Sequence, residues 1–130
     1  MNIIICGAGR VGFTIAKQLS EQGHSITVID TSSEDIQKID DALDVKAIVG
    51  KATYPTILEK ANAAETDMII AVTRNDEINM VICQIAFSIF NIPKKIARIR
   101  SQDYLNPKFT TVYNKENLPI DVIISPEIEI

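Results

Sequence analysis

Asn2-Ile3-Ile4-Ile5-Cys6-Gly7-Ala8-Gly9-Arg10-Val11-Gly12 follows the initial methionine, and its reading decides the fold. A short apolar run breaks into G-x-G-x-x-G and continues as Phe13-Thr14-Ile15-Ala16-Lys17-Gln18-Leu19. That is the strand, turn and helix of a dinucleotide-binding unit. Each glycine has its own task. Gly7 allows the tight turn off the strand, Gly9 lets backbone approach a pyrophosphate with no Cβ in the way, and Gly12 lets the helix pack closely on the strand. Unpaired amides at the helix start then face the phosphates, where the helix dipole favours negative charge.

A glycine turn by itself joins strands to helices in many proteins that bind nothing. The second half of the fingerprint strengthens it here. After Gly23, Ser25-Ile26-Thr27-Val28-Ile29 has the alternation of a strand and ends on Asp30, about 20 residues past the turn. Asp30 at the carboxyl end of a second strand would accept hydrogen bonds from ribose hydroxyls. It also disfavours NADP, whose 2′-phosphate would meet a carboxylate where an arginine is wanted.

Composition bounds the rest. The 130 residues are 46% hydrophobic and 23% charged, which is the balance of one globular domain with a real core. A net charge of -4 argues against nucleic acid as a partner, because a duplex binder needs a basic face to displace counterions. Lys94, Lys95, Arg98 and Arg100 form a local basic cluster that reads as a solvated edge. No charged segment precedes the first apolar run, so it does not read as a signal peptide, and the apolar stretch Ile78 to Phe90 is too short to span a bilayer. The chain therefore reads as soluble and cytoplasmic. Cys6 and Cys83 fall inside a strand and an apolar helix, as buried small hydrophobes do. With His24 the only histidine and no C-x-x-C, zinc ligation has too few candidates.

Strands and helices alternate throughout. The first helix runs from Arg10 to about Gln22 and stops at Gly23. Thr31 and Glu34 have the spacing of a capping box ahead of a second helix with Ile36, Ile39 and Leu43 inside. Val45 to Val49 reads as the third strand, Thr56 to Ala63 as a short helix behind Pro55, and Asp67 to Val72 as a nearly continuous apolar strand of the kind covered on both faces. Asn75 or Asp76 would cap a long helix whose buried side is Val81, Ile82, Ile85, Ala86 and Ile89. A fifth strand, Lys95 to Arg100, a weaker helical stretch, Pro107 to Asn117, and a sixth strand, Ile120 to Ile124, follow.

Right-handed crossovers between such strands predict an α/β fold, a doubly wound, Rossmann-like parallel sheet of about six strands in the order 3-2-1-4-5-6. Strands one and four meet where the winding reverses, so Gly7 to Gly12 and Thr73 to Glu77 share the ligand-binding edge. Ser125-Pro126-Glu127 reads as a helix beginning, so residues 1–130 are expected to be one nucleotide-binding domain at the start of a longer polypeptide.

The residues at these positions carry a resemblance. Ile4-Ile5-Cys6-Gly7-Ala8-Gly9-Arg10-Val11-Gly12, Thr27-Val28-Ile29-Asp30, Val49-Gly50-Lys51-Ala52, Ala71-Val72-Thr73-Arg74-Asn75-Asp76-Glu77-Ile78-Asn79-Met80 and Ala97-Arg98-Ile99-Arg100 span nearly the whole chain. Together they resemble the amino-terminal domain of TrkA-type potassium-uptake regulators, the RCK (regulator of potassium conductance) or TrkA-N family. The Ala-Val-Thr loop running into Asp-Glu-x-Asn-Met, with Ala-Arg-Ile-Arg, is far more specific than the glycine turn. The resemblance implies a cytoplasmic, non-enzymatic regulatory subunit that binds NAD(H) or adenine nucleotides such as ATP and ADP. Such a subunit docks on a TrkH-like potassium-translocating membrane protein, and so lies at the inner face of the cell membrane. It assembles as a dimer or a higher ring, and the element beginning at Ser125 resembles the family's dimerisation crossover.

Carried over by residue, the resemblance implies that Gly7, Ala8, Gly9, Arg10 and Val11 hold the phosphates and that Asp30 holds the adenosine ribose, with Thr31 beside it in the site. Thr73 and Arg74 form the far side of the cleft, and Arg98 or Arg100 adds positive charge near the ligand or a neighbouring subunit. Two positions depart from the family pattern. Lys51 stands where an acid or histidine is usual and Arg74 where a small polar residue is, which either favours a more highly phosphorylated ligand or leaves both on solvated surface. The competing readings are the cofactor half of an NAD-dependent oxidoreductase and a shell that has lost its ligand. The first needs a proton-transfer group over the nicotinamide and a substrate domain, neither evident in the sequence. The intact glycines and Asp30 argue against the second.

Overall fold

Six short strands alternate with helices in the computed structural model, which describes residues 1–125. In chain order they are β1 (Asn2–Cys6), α1 (Arg10–Glu21), β2 (Ser25–Asp30), α2 (Ser33–Ala42), β3 (Lys46–Val49), α3 (Pro55–Lys60), β4 (Met68–Ala71), α4 (Asp76–Ser88), β5 (Lys94–Arg98), α5 (Gln102–Leu105) and β6 (Val122–Ile124). Every pairing is parallel and the sheet order is β3-β2-β1-β4-β5-β6, as the alternation predicts. The strand period of two splits the apolar run of β1 between two cores. Ile3 and Ile5 join Val28 and Ile70 against Ala16 of α1 and Ile36 and Ile39 of α2. Ile4 and Cys6 join Ile29 and Ile69 against Leu58 of α3 and Ile82 and Ala86 of α4.

The glycine turn is compressed between these layers. Gly7 has φ +119°, and a Cβ there would lie 2.8 Å from the Val72 carbonyl oxygen just past β4. At Gly12 a Cβ would fall 1.7 Å from the Gly7 carbonyl oxygen, well inside contact distance. Both positions therefore need glycine because backbone meets backbone there.

Four expectations are corrected. The cap of α2 is Ser32, whose Oγ accepts from the Asp35 amide at 3.1 Å; Thr31 is exposed and belongs to the turn before it. The inner stripe of α4 is Asn79, Ile82, Cys83 and Ala86, while Val81 and Ile89 are 45% and 52% exposed. This helix is apolar on most sides, so periodicity could not choose the stripe; a polar residue took a core place because partners await it there. The Pro107–Asn117 stretch is a 3-10 turn over Pro107–Val112, after the short α5. Finally, Lys95 is no part of a solvated edge. It is 2% exposed, its Nζ lies 3.1 Å from Asp121 Oδ2, it donates to the Ile92 and Pro93 carbonyls at 2.9 and 3.3 Å, and it sits 5.2 Å from the centre of the Phe87 ring. Strand β6 covers that side of β5, which the alternation of β5 alone could not reveal. The helix beginning read at Ser125-Pro126-Glu127 falls outside the described residues beyond Ser125.

Both cysteines are buried and unbridged. Burial raises the Cys6 thiol well above its ordinary range, with the Cys83 and Asp30 charges adding to it. Burial pushes Cys83 up to about 12, outweighing the opposing pull of the Lys95 ammonium.

Gly12→Ala is expected to abolish the cooperative thermal transition seen by circular dichroism, since neither backbone can yield. Asp121→Ala leaves the Lys95 ammonium buried without its counter-charge and should lower the unfolding free energy by about 3 kcal/mol in urea titration. Neither thiol should react with an aromatic disulfide reagent at pH 8 until denaturant is added. Above pH 9.0, the ordinary thiol value, the unfolded chain releases thiol protons that the native state keeps, so stability falls as pH rises. Cys83→Ala should flatten that alkaline decline.

Candidate nucleotide-binding cleft

At the carboxyl ends of the strands, where the winding reverses between β1 and β4, lies a cleft of about 680 Å³. Its floor is Gly7, Gly9, Arg10 and Val11; one wall carries Asp30 and Thr31, and the other Thr73, Arg74 and Arg98. The topology thus brings nine of the ten residues singled out in the sequence onto one cavity. Ala8 is the exception: it is 5% exposed and faces the core side of the turn.

The amides of the turn are divided between two uses. Gly7 donates to the Ile29 carbonyl at 2.8 Å and Ala8 to Asp30 Oδ2 at 2.7 Å, so these two hold the turn to β2. Helix α1 then begins at Arg10 behind Gly9, a cap residue with no side chain to bond the first amides, and no acid stands in the first turn. Those amides have no intrahelical acceptor and open on the cleft, with the positive end of the helix dipole behind them. Gly9 differs from its neighbours. Its φ is -75°, and a Cβ there would meet nothing within 4 Å. The fold itself makes no demand for glycine at this position; the empty space in front of it faces the cleft.

Asp30 is more occupied than the sequence suggests. Its Oδ2 accepts the Ala8 amide and its Oδ1 accepts the Ser32 amide at 2.8 Å, so the carboxylate braces both the glycine turn and the start of α2. A carboxylate has about four acceptor positions, which leaves lone pairs for the cleft.

The opposite wall is built by α4. Asn75 caps the helix, its Oδ1 accepting the Ile78 amide at 2.9 Å. Asp76, the alternative cap, instead accepts the Arg100 amide at 3.1 Å and the Ser101 amide at 2.8 Å, tying α4 to the chain beyond β5. The Arg100 guanidinium donates to the Arg74 carbonyl. Asn79, 0% exposed, reaches up to Thr73 and Arg98. Further along, the Tyr104 hydroxyl donates to Glu77 Oε2 at 2.7 Å, a bond that raises the phenol above its ordinary range.

Sequence reasoning did not place Asp35, Ile78 and Ile82 on the cleft, nor Asn79 behind it. The apolar pair carried no signal beyond helix packing. Asn79 did: a polar residue interrupting an apolar helix needs partners. Five basic side chains, Arg10, Lys51, Arg74, Arg98 and Arg100, line the cleft against the two acids Asp30 and Asp35, in a chain whose net charge is -4. Positive charge is thus gathered where the helix dipole already favours an anion. His24 lies at the other end of the strands, its Nδ1 3.1 Å from the Met1 amine, remote from this chemistry. No helix among the described residues is long and apolar enough to cross a membrane.

A family model described as the TrkA-N domain matches residues 3–126. The chain is 47% identical, over all of its 130 residues, to the Trk system potassium uptake protein TrkA of Azorhizobium caulinodans, and spans 28% of that protein's length. Among solved structures, the TrkA-N domain of the inner membrane protein ybaL from Escherichia coli superposes with a TM-score of 0.82 at 22% identity, covering 98% of this chain and 89% of that one. The GsuK channel, solved bound to NAD and also bound to ADP, matches 95% of this chain with a TM-score of 0.75 at 16% identity, which covers 21% and 31% of those chains. At such identities these three structures bear on the fold alone. The matched model spans nearly the whole chain, and with the fold and the glycine turn in place the chain belongs to the TrkA-N domain family.

Proposed function

We propose that this chain is a nucleotide-sensing regulatory domain of a potassium uptake system. It binds NAD(H), or an adenine nucleotide such as ADP or ATP, in the cleft between β1 and β4, and carries out no reaction on it. The observation that carries this is Gly9: the fold leaves space in front of its Cα that none of the described residues fills, beside uncapped helix amides. The basic lining favours a polyphosphate, and Asp30 favours an unmodified ribose over a 2′-phosphate. The name of the Azorhizobium relative supports a place in potassium uptake, and the ligands of GsuK support NAD and ADP as candidates.

Gly7, Gly9, Arg10 and Val11 would receive the phosphates on backbone amides, and Asp30 with Thr31 the adenosine end, while Thr73, Arg74 and Arg98 close the far wall. Ala8 contributes through its bond to Asp30. Regulation is a population shift: a nucleotide that contacts two arrangements of an oligomer differently biases one of them, and a TrkH-like membrane partner reads the result from the cytoplasmic side. An acidic chain suits that partnership better than one with nucleic acid.

A thermal-shift panel of NAD, NADH, NADP, ADP and ATP tests this directly. At a hundredfold excess over its dissociation constant a ligand stabilises the native state by about 2.7 kcal/mol, a clear rise in melting temperature. If none of the five moves the transition, the sensor role is lost; if NADP matches NAD, the role of Asp30 is wrong. Gly9→Ala separates site from scaffold, since it should melt with the unmodified chain yet lose the ligand-induced shift. Asp30→Ala should lose both, with stability falling by about 1–3 kcal/mol as two amides go unsatisfied.

A further inference from the structure

Asn79 does not line the cleft, yet its amide is spent entirely on two residues that do. The side chain has two acceptor lone pairs and two donors, and all four are used. Oδ1 accepts the Thr73 amide at 3.0 Å and the Thr73 hydroxyl at 2.7 Å. Nδ2 donates to the Thr73 carbonyl at 3.2 Å and the Arg98 carbonyl at 2.8 Å. One buried side chain on α4 therefore fixes the carboxyl ends of β4 and β5 against each other. It also fixes a proton. The Thr73 hydroxyl has a single hydrogen and two acceptors within reach, Asn79 Oδ1 at 2.7 Å and the Asn75 carbonyl at 3.2 Å; the shorter bond takes the hydrogen to Asn79, and the Asn75 amide donates to the same oxygen at 3.2 Å. What Thr73 offers the cleft is thus an acceptor, suited to a hydroxyl or an amide N–H and unsuited to a phosphate oxygen.

We propose that Asn79 is a positioning residue that locks Thr73 as a hydrogen-bond acceptor for the half of a dinucleotide beyond its pyrophosphate, and so lets the cleft distinguish a dinucleotide from ADP. The proposal rests on the nucleotide-sensing role argued above. The glycine turn and Asp30 serve the adenosine diphosphate that both ligands share. Thr73, on the other wall, would meet what NAD has in addition: a second ribose with hydroxyl donors and a carboxamide with N–H donors. An isosteric Asn79→Leu releases the Thr73 hydroxyl from its shorter bond, leaving its hydrogen to the Asn75 carbonyl or the cleft, and removes the side-chain link beyond the paired ends of β4 and β5, with no change to any atom of the turn.

The test is calorimetric titration of NAD and of ADP into the unmodified chain, Asn79→Leu, Thr73→Val and Thr73→Ser. Loss of one neutral hydrogen bond to the ligand is expected to weaken NAD about tenfold in Asn79→Leu and in Thr73→Val. ADP affinity should stay unchanged in both, and Thr73→Ser should bind NAD like the unmodified chain. A merely structural role for Asn79 would weaken both ligands together, and that result overturns the proposal, as does NAD binding unaltered in Thr73→Val. Thr73→Val and Thr73→Ser keep the proposal open to refutation even if Asn79→Leu does not fold. Binding of ADP without NAD by the unmodified chain also overturns it while leaving the sensor role standing. Binding of neither ligand removes both.

Discussion

Of the glycines, Gly12 has the least room, because two pieces of backbone meet there. The first turn of α1 passes so near the Gly7 carbonyl that a Cβ on Gly12 would lie 1.7 Å from it, and Gly7 itself presses on the chain just past β4 at Val72. Much follows from this contact. It sets the helix directly over the end of β1, so its uncapped amides point along the sheet toward the place where winding reverses. Because Gly7 also abuts Val72, the loop that begins at Thr73 is held beside the amides and not merely on the same edge. A cleft with a phosphate-facing floor and an independent far wall is the geometric result.

Polar groups inside the core serve that geometry. Asp30 gives its two oxygens to amides on either side of it, so the residue best placed to meet a ribose also keeps the glycine turn from opening. Asn79 draws the ends of β4 and β5 together at the cleft, and Lys95 does the corresponding work near the start of β5, bonded to two carbonyls and to Asp121 before β6. Each is satisfied at nearly every position, which is the condition under which a buried polar group specifies an arrangement instead of weakening it. Strand β5 is therefore pinned at both ends by side chains with long-range partners. Helix α4 lies between these pins, lining the cleft with Ile78 and Ile82 and bonding to α5 through Glu77 and Tyr104. A change at the far wall is connected by direct contacts to the surface beyond it.

The distribution of charge points the same way. An acidic chain that collects five basic side chains around one cavity keeps its surface unattractive to polyanions at large while retaining a local site for a small one. The helix dipole and the arginines act at different ranges: the amides bind at contact, and the guanidinium groups raise the potential across the whole opening.

Much of this was legible in the sequence because it is local. Glycine spacing, the period of two in the strands, the proline before α3 and the acid at the end of β2 depend on the chain within about 20 residues, and they were enough to give the sheet order and the switch point; the residues of the far wall, Thr73, Arg74 and Arg98, and Thr31 came from the family resemblance, and nine of the ten chosen residues line one cleft. Whether those residues bind as read is a matter for ligands, not for spacing. The sequence was silent or misleading wherever the deciding partner lay far along the chain. The stripe of α4 is chosen by strand ends that accept Asn79, and Lys95 is buried because Asp121, 26 residues on, meets it under β6; the exchange of Ser32 for Thr31 as the cap of α2 is the local exception, decided within three residues. A single chain of residues thus determined which segments become strands and helices and how they wind. Only tertiary contact decided which polar atoms are satisfied inside, since a hydrogen bond between distant residues leaves no periodic trace in either.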